Sequence, residues 1–305
     1  MYIKHFGLDE LPFSITPDTS FLFAHSSYQD ALNTLLVAAR SGEGFIKVTG
    51  EVGTGKTLLC RKFLDALAMD GNFVTAYIPN PYLEPITLLL ALADELRIDY
   101  EPSLNQHQLL KLLTKFLVDT YADGKRVILC MDEAQALPLE TLEALRLLTN
   151  LETGKRKLLQ VVLFGQPELD VRLDQQSIRQ LKQRISFSCT LMPLSFDDVD
   201  YYLAHRLNIA GYRGPRLFST RVVKRLFKLS QGVPRLINIL AHKSLMAAFG
   251  EGASAAEIHH VQLAAKDTES TRTMMGKAHR LIKYTVALVG ALLVSVGALF
   301  WAHSL

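Results

Sequence analysis

The chain has 305 residues, of which 49% are hydrophobic and 21% charged. This composition excludes a mainly disordered protein and leaves room for one large domain or two smaller ones. Its three cysteines are too few and too far apart for a disulfide framework or a cysteine-rich metal site, and the net charge of +3 does not indicate a nucleic-acid-binding protein.

The first two-thirds of the chain alternates between predicted helices and strands. Apolar residues at helical spacing predict a helix over residues 26–40, and the apolar run at 45–49 predicts a strand that ends at a glycine-rich turn. The further predicted strands lie at 72–78, 126–131, 158–164 and 185–191, and the further helices at 56–68, 85–96, 106–121, 139–150 and 177–184. This alternation is typical of a parallel α/β sheet domain, here residues 1–193.

The rest of the chain carries no strand pattern. Helical spacing predicts four helices, at 196–210, 219–231, 234–249 and 254–266. Together they define an all-helical lid subdomain over residues 194–266. A polar and then basic linker is predicted at 267–283.

Residues 284–302 read YTVALVGALLVSVGALFWA and carry no charge. As a helix this segment would be about 28 Å long, close to the roughly 30 Å hydrocarbon core of a bilayer. Tyr284 and Trp301 lie at its ends, where amphipathic rings favour the interface. Three cations precede it, namely Lys277, Arg280 and Lys283. We therefore expect one transmembrane helix, with residues 1–283 on the cytoplasmic side.

A nucleotide-binding signature follows the first strand. It matches the pattern GxxxxGK[ST] in the required place, between a strand and a helix. Its residues are Gly50, Glu51, Val52, Gly53, Thr54, Gly55, Lys56 and Thr57. Glycines let backbone N–H groups turn towards phosphate oxygens, beside the positive end of the following helix. Lys56 is expected to reach the β- and γ-phosphates of ATP, and the Thr57 hydroxyl to ligate Mg²⁺.

Two carboxylates end the strand predicted at 126–131. Asp132 and Glu133 follow an otherwise apolar run, where acidic groups need a functional reason. We expect this strand to neighbour the one before the glycine-rich turn, so that both motifs meet at one sheet edge. Asp132 would then hold the Mg²⁺ shell, and Glu133 would orient and deprotonate the attacking water. The pair therefore predicts ATP hydrolysis rather than phosphate transfer to an acceptor.

Several sequence blocks, in their order and spacing, make a family resemblance specific. They are HFGLDELPFSITPDTSFLF, GEVGTGKT, MDEAQ, LFGQPEL, LKQRI and GVPRLIN. Over about residues 1–265 the chain resembles AAA+ ATPases of the ExeA/GspA family, which serve bacterial secretion and pilus assembly. Within that family it is most similar to the MshM-type biogenesis ATPases of the mannose-sensitive haemagglutinin (MSHA) type IV pilus. The resemblance implies a P-loop NTPase fold, a ring-type homo-oligomer and a place at the bacterial inner membrane.

The resemblance also implies roles for further positions. Gln166 would occupy the sensor-1 place and contact the γ-phosphate or the water, although related ATPases more often carry Asn, Ser or Thr there. Arg184 matches the arginine finger that reaches a neighbouring subunit's site, with Arg179 as the rival and a solvated helix face as the alternative. Arg235 matches sensor 2, with a structural salt bridge as the alternative. Leu58 extends the nucleotide-binding segment.

The predicted lid is strongly basic. Residues 201–250 contain nine lysines and arginines and no aspartate or glutamate. These cations could meet anionic lipid headgroups, nucleic-acid phosphates, or acidic surfaces of the core or of an adjacent subunit. The last is favoured because the remainder of the chain is net negative, and base-reading aromatic spacing is absent, so nucleic acid is not the expected partner.

One hypothesis unites these features. We expect a membrane-anchored, Mg-ATP-dependent ATPase that assists assembly of a type IV (MSHA-like) pilus or of type II secretion machinery, through other inner-membrane proteins. The alternatives are a DNA-associated ATPase of the transposition-regulator type and a scaffold that binds ATP with little turnover. Only three residues follow the predicted anchor, so a periplasmic cell-wall-binding region of the ExeA type is not expected.

Overall fold

The computed structural model describes residues 2–16, 18–79, 82–101, 103–153, 156–269 and 271. By their contacts, the described residues form two compact units. The sheet unit comprises residues 15–198 together with 233–235, and the helical unit comprises the opening residues up to 14, residues 199–232 and those from 236 onwards.

A five-stranded parallel sheet is the centre of the sheet unit. The strands are β1 (Phe45–Thr49), β2 (Phe73–Ile78), β3 (Arg126–Met131), β4 (Glu152–Thr153), β5 (Arg156–Lys157), β6 (Leu159–Gly165) and β7 (Ile185–Thr190). Their order in the sheet is β2-β3-β6-β1-β7, while β4 and β5 pair with each other in an antiparallel ribbon. The predicted parallel α/β architecture is confirmed.

The neighbour of β1 differs from the sequence expectation. The acidic pair predicts that β3 lies beside β1, but β6 is inserted between them, and Val161 of β6 pairs with Phe45 on one side and Leu129 on the other. That prediction is wrong. An apolar pattern identifies the strands, but the order of the strands in the sheet depends on how the connecting helices pack. The insertion brings a third strand end to the candidate site.

Helices surround the sheet or make up the helical unit. They are α1 (Tyr2–Phe6), α2 (Ser26–Ser41), α3 (Lys56–Asp70), α4 (Pro85–Glu95), α5 (Gln106–Ala122), α6 (Leu139–Leu148), α7 (Glu168–Leu173), α8 (Arg179–Lys182), α9 (Phe196–Ile209), α10 (Thr220–Ser230), α11 (Pro234–Gly250) and α12 (Ile258–Lys266). The long helices lie close to their predicted positions. The pattern missed α1 and α7, because five or six residues are too few to display a helical period.

The sheet is buried on both faces. Along β3, Leu129 and Met131 pack into an apolar cluster with α4, α5 and α6, whereas Ile128 and Cys130 pack on the opposite face with α2 and α3. Side chains of a strand alternate between its two faces, so a strand covered on both sides must be apolar throughout. The uninterrupted run VILCM is explained by this three-layer arrangement.

The opening residues belong to the helical unit and not to the sheet unit. Tyr2 is buried and its hydroxyl is hydrogen-bonded to Nδ1 of His242 at 2.8 Å, and the backbone N–H of Asp9 donates to the carbonyl of Ala210 at 2.8 Å. The buried Arg206 donates to the carbonyl of Pro12. Residues 2–14 therefore pack with α9 and α11, outside the predicted 1–193 core. The apolar residues within 2–14 show no helical or strand period, so the sequence did not predict this packing.

Within the residues that the structure describes, no helix is long and apolar enough to cross a membrane. The predicted transmembrane helix at 284–302 and most of the linker at 267–283 lie outside the described residues.

Candidate active site

The turn between β1 and α3 is shaped by close approaches of the backbone. Gly53 has φ +83°, a left-handed conformation that residues with a Cβ disfavour, and a Cβ there would lie 2.6 Å from Cβ of Arg235. A Cβ at Gly50 would lie 2.9 Å from the carbonyl oxygen of Leu191. Side chains are therefore excluded at both positions for different reasons, as a turn that exposes its amides requires.

Lys56 begins α3 and is buried, with 5% of its surface exposed. Its Nζ donates to the carbonyl oxygens of Gly50 and Glu51, at 2.8 Å and 3.0 Å. Burial lowers the pKa of the ammonium below its usual range, although the nearby carboxylates Glu133 and Asp132 oppose that shift. The cation is thus fixed inside the turn, facing the groups that would bind phosphate.

The other residues of the signature occupy the same turn. Glu51 and Val52 are exposed. Thr54 is buried, and its hydroxyl donates to the carbonyl of Glu51 at 2.9 Å. Gly55 caps the N-terminus of α3 in a left-handed conformation, and Leu58 lies half-buried in the first turn of that helix.

Asp132 and Thr57 are in direct contact. The Thr57 hydroxyl donates to Oδ2 of Asp132 at 2.5 Å, and the backbone N–H of Glu133 donates to Oδ1 at 3.0 Å. Only 2% of Asp132 is exposed. Burial raises the pKa of its carboxyl, and the hydrogen bonds from Thr57 and from the Glu133 backbone lower it in part. The two predicted metal ligands are therefore brought together, although their strands are not neighbours.

The raised pKa of Asp132 makes a prediction about stability. Between the ordinary carboxyl value of 3.8 and the raised one, the folded protein binds the proton more tightly than the unfolded chain does, so stability falls as pH rises through this window. We expect Asp132→Asn to raise the free energy of unfolding at pH 7.5 by about 0.5–2 kcal/mol, since the amide oxygen can still accept from the Glu133 backbone and the amide nitrogen can donate to the Thr57 hydroxyl oxygen.

Thermal unfolding without nucleotide measures this effect. The stabilisation should disappear as pH is lowered below about 4, where both states carry a protonated Asp132. The control Asp119→Asn changes the same charge at an exposed position of α5. An Asp132→Asn variant that is less stable than wild type at pH 7.5 would contradict the interpretation.

Glu133 lies in a network of two amide side chains. Its backbone has φ +53°, and its Oε2 accepts hydrogen bonds from Nε2 of Gln166 at 3.0 Å and from Nε2 of Gln135 at 2.5 Å. The backbone N–H of Gln166 donates to Oε1 of Gln135 at 2.9 Å. Gln166 thus lies beside the predicted base, and Gln135 was missed as a site residue although it belongs to the quoted run MDEAQ.

Strand order explains why these groups meet. The carboxyl ends of parallel strands lie at one edge of a sheet, and that edge is where open α/β sheets bind ligands. β6 lies between β1 and β3, so Gln166, which follows β6, reaches the residues that follow the other two. The site therefore draws on three adjacent strand ends.

Arg235 joins the turn through its backbone. It is the second residue of α11, and its N–H donates to the carbonyl oxygen of Gly53 at 3.2 Å. Its side chain is exposed, and its Cδ would lie 3.3 Å from a Cβ at Gly53. The sensor-2 role of Arg235 stays a prediction.

Arg184 contacts residues at and after the end of α6, and Arg179 is the rival position for the same role. The Arg184 guanidinium donates to Oδ1 of Asn150, just after α6, and at 3.3 Å to the carbonyl of Arg146, in the last turn of α6. Arg179 is exposed at the start of α8. Within the described part of the chain neither side chain bonds to the turn, so the arginine-finger role stays a prediction about a neighbouring subunit.

Comparison with known proteins agrees with this geometry. The AAA domain family matches residues 39–173, which run from the end of α2 to the end of α7. General secretion pathway protein A of Aeromonas hydrophila is 42% identical over 301 residues, covering 99% of this chain and 54% of that protein. The chain therefore spans about half the length of this curated relative.

Solved structures share the fold at low identity. Cdc6p from Pyrobaculum aerophilum has a TM-score of 0.64 at 18% identity, covering 82% of this chain and 70% of that one. The ORC2 protein of Aeropyrum pernix, in ADPNP–ADP complexes, has a TM-score of 0.60 at 16% identity, covering 83% and 72%. A Walker-type ATPase of Pyrococcus abyssi has a TM-score of 0.57 at 15% identity, covering 90% and 80%. These identities indicate a shared fold alone.

Proposed function

We propose that the chain is an AAA+ ATPase of the ExeA/GspA family and that it hydrolyses ATP with Mg²⁺. The observation that carries the proposal is the contact between the Thr57 hydroxyl and the Asp132 carboxylate, at 2.5 Å, beside the buried Lys56. Two hard oxygen donors next to a buried cation suit a metal–triphosphate, since Mg²⁺ takes oxygen ligands and phosphate attracts the ammonium. When bound, the metal would neutralise charge on the phosphate oxygens.

The remaining residues have defined tasks in this reaction. The turn at residues 50–57 binds the phosphates through its N–H groups, and Lys56 exchanges backbone carbonyls for phosphate oxygens. Glu133 takes a proton from a water molecule as the water oxygen bonds to the γ-phosphorus. The bond from that phosphorus to the β–γ bridging oxygen breaks, and ADP and inorganic phosphate leave. Gln166 donates to Glu133 and would contact the γ-phosphate or the water.

Phosphate release by the full chain tests the proposal. The purified protein in detergent should release phosphate from ATP in the presence of Mg²⁺ and stop when EDTA is added. A protein that binds ATP tightly but releases no phosphate, also in its assembled form, would contradict the enzyme proposal and favour the scaffold alternative.

We further propose that the active form is a ring-type homo-oligomer, with Arg184 supplied to the neighbouring subunit's site. An arginine that stabilises transition-state charge contributes about 10³–10⁵ in rate. We expect Arg184→Ala and Glu133→Gln each to abolish most of the hydrolysis. Their mixture should regain activity, because a subunit with an intact Glu133 can receive Arg184 from a Glu133→Gln neighbour.

The rate of phosphate release by the mixed variants measures this complementation. A parallel mixture of Arg179→Ala with Glu133→Gln distinguishes the two arginines, since Arg179→Ala should retain wild-type activity by itself. A mixture of Arg184→Ala and Glu133→Gln that stays inactive would contradict a finger supplied between subunits.

The name of the relative, General secretion pathway protein A, supports a task in secretion, and the apolar run at 284–302 and the quoted sequence blocks support the membrane and the pilus. We propose that the protein acts at the bacterial inner membrane, held by residues 284–302, and assists assembly of type II secretion machinery or of a type IV pilus of the MSHA type. Its partners would then be inner-membrane assembly proteins. Cross-linking of the full chain in native membranes, followed by identification of the captured proteins, would identify them.

A further inference from the structure

We propose that Gln135 is a positioning residue, which holds the Glu133 carboxylate in the orientation for proton transfer. This inference rests on the proposed ATP hydrolysis. Three side chains, Glu133, Gln135 and Gln166, form what we name the Glu133 network. In it, Gln135 donates from Nε2 to Oε2 of Glu133 at 2.5 Å and accepts at Oε1 from the backbone N–H of Gln166 at 2.9 Å.

Both ends of the Gln135 amide are used, so its orientation is determined. The oxygen can accept but not donate, and the nitrogen can donate but not accept. Reversal of the amide would direct N–H groups at the Gln166 N–H and an oxygen at the Glu133 carboxylate, and both contacts would become repulsive. The amide therefore links the end of β6 to the carboxylate at the end of β3 in one arrangement.

The backbone around Gln135 is built for this contact. Gln135 lies in a short 3-10 turn, Ala134–Ala136. The N–H of Ala136 donates to the carbonyl of Glu133 at 2.8 Å and closes this turn. A Cβ at Gly165 would lie 3.3 Å from Oε1 of Gln135 and 2.8 Å from the Leu169 side chain. Glycine at the end of β6 thus leaves room for the Gln135 amide to approach.

The backbone conformation of Glu133 is strained, so contacts from neighbouring residues must hold it in place. Its φ of +53° lies in the left-handed region that residues with a Cβ disfavour, and such conformations persist where the surroundings hold them. Two amide donors converge on Oε2. Both donors therefore fix the same oxygen and with it the plane of the carboxylate.

Steady-state ATP hydrolysis by the full chain tests the role of Gln135. We expect Gln135→Ala to lower kcat by about 10- to 100-fold, the usual effect of a misplaced catalytic group, with KM and nucleotide affinity changed by less than about twofold. Gln135→Glu keeps an acceptor for the Gln166 N–H but replaces the donor by a second carboxylate, so kcat should fall at least as far. The control Gln106→Ala, at an exposed position of α5, should behave as wild type.

A second arm separates positioning from a general structural effect. In the Glu133→Gln background, Gln135→Ala should lower the residual rate by less than about twofold, because a residue that acts through Glu133 has nothing left to position. Wild-type kcat in Gln135→Ala would overturn the inference, as would equal losses in both backgrounds. Wild-type kcat in Gln135→Glu would also overturn the inference, because it would show that only the contact with the Gln166 N–H matters.

A third arm does not depend on activity. In the full chain labelled with ¹⁵N-glutamine, the Gln135 side-chain amide signal, assigned by its loss in Gln135→Ala, should shift in Glu133→Ala. An unchanged signal would overturn the contact itself. If wild-type protein binds ATP but does not hydrolyse it, the proposed function fails while this arm still decides whether the Glu133 network exists.

Discussion

Replacing Lys56 by alanine is expected to weaken ATP binding by at least about 30-fold and so to abolish most of the hydrolysis. The Lys56 ammonium is buried inside the turn and hydrogen-bonded to two of its carbonyls. Loss of one partner of a buried, hydrogen-bonded charge pair costs about 2–5 kcal/mol, and each 1.4 kcal/mol is tenfold in affinity. Binding of a fluorescent ATP analogue to the full chain measures the effect.

The fold of the Lys56→Ala variant should survive the change. Burial already disfavours the charged form of Lys56, as its lowered pKa records. The control Lys111→Ala removes the same charge from an exposed position of α5 and should bind as wild type does. Wild-type affinity in Lys56→Ala would mean that the turn at residues 50–57 is not the phosphate site.

Glu133→Gln should separate binding from turnover. Glutamine has the shape of glutamate and can still accept hydrogen bonds from Gln135 and Gln166, but it cannot take a proton from water. We expect kcat to fall by about 10²–10⁴-fold, the usual contribution of a general base, while the dissociation constant for ATP changes by less than about threefold.

Single-turnover hydrolysis and equilibrium binding, measured on the same preparation, test this separation. Glu101→Gln, at an exposed position before α5, is the matched control. Hydrolysis at the wild-type rate by Glu133→Gln would remove Glu133 as the base. A parallel loss of affinity and rate would instead indicate that Glu133 contributes to binding.

The core of the fold was predictable because its elements have strong periods. β3 is buried on both faces, so its apolar run had no interruption, and α2 and α5 are long enough to show a helical repeat. The glycine-rich turn was predictable for a different reason. Its pattern follows from the chemistry of phosphate binding and is read directly from the residues.

The features that were missed depend on tertiary contacts. The place of β6 between β3 and β1 follows from how the crossovers pack, and the packing of residues 2–14 with the helical unit follows from single contacts such as that of Tyr2 with His242. Gln135 gives no sign of its role in the sequence, because the donor–acceptor pattern that selects a glutamine there exists only once β6 lies next to β3.

The basic character of the helical unit is only partly explained by its own contacts. Arg216 pairs with Asp200, and Lys243 pairs with Asp267 at 2.7 Å. On α10, Arg221, Lys224 and Lys228 are exposed on the side opposite its buried apolar residues. Asp200 and Asp267, which pair with two of these cations, belong to the helical unit itself. Packing of the remaining charge against the core or an adjacent subunit stays a prediction.

The central claim is that the turn after β1 and the carboxylate after β3 together bind a metal–triphosphate. The most direct test is a crystal structure of the full chain grown with a non-hydrolysable ATP analogue and Mn²⁺, whose anomalous scattering identifies the metal. We expect the phosphates against the N–H groups of residues 50–57 and one anomalous peak beside Thr57 and Asp132. A nucleotide bound elsewhere, or phosphates in the turn with the metal remote from both side chains, would contradict the account.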